Sequence, residues 1–224
     1  MKTPESVQLR SKVKELVKTD FGKALQLART ISDGWYRCQS LAEVALVMKS
    51  SKIQFLKIAQ EALKAALETE EPNRVVSVSS WIIWVMAKRE EIQDAEILVI
   101  VEQMLEIISD EPHSVRQADA LFYLFEAIYL RKNLRTIVLN PLLDACRNMN
   151  SWKKPRILGE IVLVLAADDM ISARTVLEMI GKKSKKKSLL KEIEENKWLG
   201  AHNFLPYYAK NVSIKKYDCK NSTR

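Results

Sequence analysis

The sequence predicts an all-α protein built from repeated helix pairs, and three observations carry that prediction. Apolar residues recur at helical spacing, as in Ala24, Leu25, Leu27, Ala28 and Ile31, and again in Leu41, Val44, Ala45 and Met48. Turn-forming clusters separate such stretches at Ser32-Asp33-Gly34, Glu70-Glu71-Pro72-Asn73, Ser109-Asp110-Glu111-Pro112 and Asn148-Met149-Asn150-Ser151. Strand signals are weak, because few segments alternate strictly and no Asn-Gly hairpin dipeptide occurs.

Taken in chain order, a lead-in helix falls near 6–18 and the first pair spans about 21–48, broken at the Ser32-Asp33-Gly34 turn. The second pair, about 54–88, breaks at the Glu70-Glu71-Pro72-Asn73 turn. The third, about 94–130, breaks at Ser109 to Pro112. The fourth spans about 133–168 with its turn at 148–151. A weaker fifth covers about 171–196, through Ile171 to Ile180 and then Leu189 to Ile193.

Overlaying the pairs exposes a repeat. An arginine opens the second helix of each of the first four, at Arg37, Arg74, Arg116 and Arg156, at intervals of 37, 42 and 40 residues. A small residue follows within three positions (Ser40, Ser77, Ala118, Gly159), and Ile31-Ser32-Asp33 is echoed by Ile108-Ser109-Asp110. A period near 40 with two helices per unit is the mark of an α-solenoid, in which no pair buries its apolar face without its neighbours. Over roughly residues 20–196 the chain resembles the HEAT, armadillo and TPR-like helical repeat superfamily, nearer HEAT than TPR because the unit exceeds 34 residues and lacks the fixed Trp, Leu-Gly and Tyr offsets. The resemblance implies a right-handed alpha-alpha superhelix of about five helix pairs over residues 1–196, and a binding scaffold. Residues 197–224, with Trp198, Phe204, Tyr207 and Tyr208 among lysines, form a C-terminal segment expected to dock at its start and to be flexible at its end.

Composition narrows the function. Of 224 residues, 47% are apolar and 29% charged, as in an ordinary globular chain, with a net charge of +8. That excess has an address. Residues 1–180 hold 24 basic and 24 acidic side chains, residues 61–130 hold 5 against 14, and residues 181–224 hold 12 against 4. The longest apolar runs, 75–87 and 157–167, are shorter than the ~18 residues of a membrane span. Cys38, Cys146 and Cys219 are scattered and odd in number, which suits a reducing compartment. No secretory signal core follows Met1, so the expected location is cytoplasmic.

Catalytic chemistry finds little footing. His113 and His202 stand alone, and the sequence holds no H-E-x-x-H, Walker loop or G-x-S-x-G elbow. No cofactor or metal is expected. The candidate partner-binding residues are Trp35, Tyr36 and Trp152, in the turns before two of the repeated arginines, and Lys182, Lys183, Lys185, Lys186 and Lys187. The three aromatics read equally as partner anchors or as lids over helix ends. The lysines read either as a solvated run or as a contact for phosphate, acidic lipid or acidic protein. The repeated arginines read first as structural, each pairing with a turn carboxylate to fix stacking register, and second as a cation ladder aimed at a ligand. The favoured function is non-catalytic binding of a protein or peptide. The alternative is a nucleic-acid-binding solenoid that uses the Lys-rich unit, the minor third a DNA glycosylase of HEAT-like type, and self-association of the charge-segregated chain is a further prospect.

Overall fold

The computed structural model describes residues 5–49 and 51–195. Among these lie eleven helices and no strand, so the protein is all-α. The aromatic and lysine-rich stretch at 197–224, with its expected docking, lies outside the described residues.

The chain divides into two compact units, 1–145 and 146–224. The first holds α1 (Glu5–Leu16), α2 (Phe21–Thr30), α3 (Gly34–Val47), α4 (Lys52–Leu67), α5 (Pro72–Ala87), α6 (Asp94–Ser109), α7 (Ser114–Ala127) and most of α8 (Lys132–Asn148). The second holds the end of α8 with α9 (Lys154–Ala166), α10 (Met170–Glu178) and α11 (Lys183–Glu194).

Local chemistry sets the boundaries. The first N–H groups of a helix have no partner within it, so a short acidic or hydroxyl side chain just before it lends an acceptor. Asp20 takes the N–H of Lys23 at 3.0 Å, Asp33 that of Trp35 at 2.9 Å, and Asp169 that of Ser172 at 3.1 Å. Before α6, Glu96 reaches back 2.9 Å to the N–H of Gln93, the return half of a capping box. Pro72 and Pro155 occupy first turns, where the missing N–H loses nothing.

Packing alternates along the first unit. The helices α1, α3, α5 and α7 pack each on the next of that series, while α2, α4 and α6 each pack between two successive members of it. Burial follows the same alternation from α3 to α7. In α5 every residue from Val78 to Ala87 is buried, and in α3 every residue from Cys38 to Ala45. By contrast α6 buries one stripe, Ile97, Val101, Met104 and Ile108, and α2 only Ala24 and Ala28. A stripe spaced by three and four residues is what a helix with one wet face presents. Ion pairs bridge the outer helices: Arg29 holds Glu61 with two bonds of 2.8 Å from α2 to α4, and Lys52 holds Glu96 at 2.6 Å from α4 to α6. In the second unit α9 is the buried element, from Ile161 to Ala166 without a break, and packs on both α10 and α11.

Candidate functional site

The four repeated arginines have unlike surroundings. Arg37 donates to the carbonyl of Ile31 at 2.9 Å and pairs with Glu68, tying the α2–α3 turn to the end of α4. Arg74 meets Glu71 at 3.5 Å, and its guanidinium lies 5.5 Å from the ring centroid of Trp35. That stacking joins a ladder residue to an aromatic candidate and holds half-buried Trp35 against the protein. Tyr36, also half-buried, is the second N–H held by Asp33, at 3.4 Å. Arg116 and Arg156 are exposed and form no ion pair or hydrogen bond among the described residues.

A second arginine series, absent from the sequence expectations, does the register work. Arg89, just past α5, donates to the carbonyl of Met48 at the end of α3, 3.1 Å away. Arg131, just past α7, donates to Ala87 at 2.9 Å, Arg89 at 2.9 Å and Ile92 at 3.2 Å, all carbonyls at or beyond the end of α5. Its third nitrogen meets Asp94 at 3.1 Å. Each guanidinium thus closes the C-terminus of the preceding buried helix, where orphan carbonyls and the negative end of the dipole welcome a cation. The 42-residue spacing of Arg89 and Arg131, each following a long apolar run, was the available signal.

The remaining candidates gather in the second unit. Gly159 in α9 sits under α11, where a methyl group on it would lie 3.3 Å from Lys185 Cε and 3.5 Å from Leu189 Cδ1. Contact at these positions brings the first two turns of α9 and of α11 together. Neither helix has a side-chain cap. The residues around those two N-termini are Lys153, Lys154 and Arg156 on one and Lys182, Lys183, Lys185, Lys186 and Lys187 on the other. Trp152, two residues before α9, is 77% exposed. Two of the lysines are engaged: Lys186 pairs with Glu178 at 2.7 Å, and Lys185 lays its stem over Gly159. Lys182, Lys183 and Lys187 stand in solvent.

Cations at a helix N-terminus oppose the dipole. Of the acids, Glu178 meets Lys186 at this edge and Glu160 lies in the second turn of α9, while Asp168, Asp169, Glu192, Glu194 and Glu195 sit toward the other ends. The unit is therefore polarised, with an exposed tryptophan on its basic edge. Such an edge attracts anions through its charge. A pocket of about 190 Å³ among Val162, Ala173, Leu177 and Leu190 is apolar apart from Arg174 and Glu194. No group of His, Cys, Asp and Glu among the described residues is placed to hold a metal ion, and no helix among them is long and apolar enough to cross a membrane. Comparison with protein-family models, with curated proteins and with solved structures finds no match to the chain.

Proposed function

We propose that the chain is a non-catalytic binding protein of the helical repeat type, a right-handed superhelix of about five helix pairs, and that it holds a protein or peptide partner. The alternation of wholly buried and one-face-buried helices in the first unit supports the repeat reading, since it is what stacked pairs produce. The observation that carries the binding reading is the basic edge of the second unit. Exposed Trp152 supplies an apolar anchor, and the cations of α9 and α11 supply selectivity for an acidic segment.

The same edge gives a second reading, nucleic acid. Lysines on two uncapped helix N-termini suit successive phosphates, and an exposed indole suits a base. Fluorescence anisotropy separates the two, using a 12-nucleotide mixed-sequence single strand and a 12-residue Glu-rich peptide containing one Leu. With about four phosphates engaged, nucleic-acid affinity falls roughly fifty-fold between 50 and 200 mM salt. Tight peptide binding that Trp152→Ala weakens supports the protein reading, and a steep salt slope on the strand supports the second. If neither probe binds at 50 mM salt, the edge is not a binding site.

A further inference from the structure

The inner face of α3 carries polar groups that its own fold leaves unanswered. Gln39 and Glu43 lie one turn apart on one side of the helix, opposite Cys38, Leu41 and Ala45. Gln39 is fully buried, and neither its amide oxygen nor its amide nitrogen has a hydrogen-bond partner. Glu43 is 9% exposed, and neither carboxylate oxygen accepts a hydrogen bond. A buried amide and a buried carboxylate left without partners destabilise the state that buries them, far more than they would in a satisfied network.

What faces Glu43 is α1. Arg10 brings a guanidinium nitrogen to 4.0 Å from Glu43 Oε1, too far for a hydrogen bond, and Lys14 adds its charge one turn on. The same Arg10 guanidinium lies 5.6 Å from the ring centroid of Trp81 on α5. Its side chain therefore spans this face of α3 between the carboxylate and the indole. Yet α1 is lightly held. Of its twelve residues only Val13 is buried, and its packing is on α2 and α3. Burial pushes the Glu43 carboxyl above the usual glutamate range even with Arg10 and Lys14 beside it, so the two cations do not fully answer the charge.

We propose that α1 is a displaceable lid and that the face of α3 and α5 beneath it is a docking surface for a basic amphipathic helix of a partner protein. The resident helix shows what the surface selects: a guanidinium set between Glu43 and Trp81, and a small branched residue three positions on, as Arg10 and Val13 present. The incoming helix competes through these same contacts, and gains where it adds a donor to the Glu43 carboxylate oxygens that α1 leaves unpaired. This surface shares no residue with the basic edge of α9 and α11, so either can fail without the other.

The test is hydrogen–deuterium exchange, read by mass spectrometry, on the full chain. In the protein alone, amides of α1 exchange at least tenfold faster than those of residues 38–45. A synthetic peptide with the sequence of residues 5–18, in excess, accelerates exchange in the chain's own α1 while residues 38–45 stay protected. The same peptide carrying Arg10→Glu does nothing. In the chain, Gln39→Leu with Glu43→Leu weakens peptide binding at least tenfold, because it removes the carboxylate that the peptide's guanidinium meets. Should that double variant not fold, Arg10→Glu in the chain suffices, since it changes only a half-buried residue of α1. It speeds α1 exchange at least tenfold with far-UV circular dichroism of the remaining helices intact. Peptide that fails to bind, or that binds without loosening α1, overturns the proposal, as does an Arg10→Glu chain whose α1 exchanges like the wild type.

Discussion

Replacing Arg131 by methionine isolates the second arginine series. The substitution keeps most of the aliphatic stem and removes the fork that donates to the carbonyls of Ala87, Arg89 and Ile92 and pairs with Asp94. Charge-assisted bonds of this kind reach about 1.5–3 kcal/mol each when buried. Arg131 is partly open, with 22% of its side chain exposed, and water can reclaim some of what is lost. About 1 kcal/mol for each carbonyl, with little from the Asp94 pair, gives a destabilisation of about 3 kcal/mol. For a chain of this size that lowers the thermal midpoint by roughly 6–12 °C. Far-UV circular dichroism during heating, with urea titration alongside, reads the effect. Arg131→Lys recovers a minority of it, because an ammonium cannot address three diverging carbonyls at once. The control is Arg116→Ala, exposed and without a partner among the described residues, which stays within about 0.5 kcal/mol of wild type. An Arg131→Met protein as stable as the parent, or an Arg116→Ala protein equally damaged, refutes the assignment of register to Arg89 and Arg131.

Two glycines separate tight backbone contact from a yielding one. Gly34→Ala sets a methyl 2.4 Å from the backbone oxygen of Ala65, which cannot move without α4, and destabilises by about 2 kcal/mol in urea titration. Gly159→Ala meets the far end of Lys185 at 3.3 Å and Leu189 in ordinary contact at 3.5 Å, and gains up to about 1 kcal/mol of helix propensity, so its midpoint holds or rises. Glu43→Gln is expected to raise stability at neutral pH. Because burial lifts the Glu43 carboxyl in the folded state, its contribution is most favourable below the ordinary glutamate range and declines as pH rises through the folded value. The advantage of the Gln variant is therefore greatest above the raised folded value and gone below the ordinary glutamate range, where both forms are neutral. Glu96 works the other way: the Lys52 ammonium and the Gln93 N–H hold its carboxyl below the usual range. What it contributes is present above the ordinary value and lost as pH falls through the lowered one, so Lys52→Met narrows the difference between neutral and acid midpoints. Trp152→Ala leaves the thermal midpoint unchanged, since 77% of the residue is already in water.

Helix positions were legible in the chain because what sets them is local. Asp20, Asp33 and Asp169 each cap an N–H two or three residues away, and Pro72 and Pro155 act on their own turns. The apolar runs at 75–87 and 157–167 likewise announced the helices that are buried on all sides, and Trp81 and Trp84 within the first are each only 4% exposed. The identity of the binding candidates was half legible. The lysines of α11 were visible as a run, but nothing in sequence placed them beside the start of α9, because that neighbourhood rests on a missing side chain at Gly159.

Only the tertiary structure decided which charges meet. Arg37 to Glu68, Arg89 to Met48, Arg131 to Ala87 and Lys52 to Glu96 join residues 31, 41, 44 and 44 positions apart. Those pairings depend on the axial offset and crossing of successive helices, which follow from side-chain volumes at the contact. A one-turn change in offset moves an arginine by about 5.4 Å and exchanges one partner for another. The repeat told which residues recur, and so pointed at Arg37, Arg74, Arg116 and Arg156 as equivalents. Packing then gave the first two partners and left the other two in solvent. It also buried Gln39 and set Arg10 of α1 beside Glu43, two polar residues that in the sequence sit unremarked within the helical stretch of α3. Burial is a property of what lies opposite, and no local pattern on α3 records it.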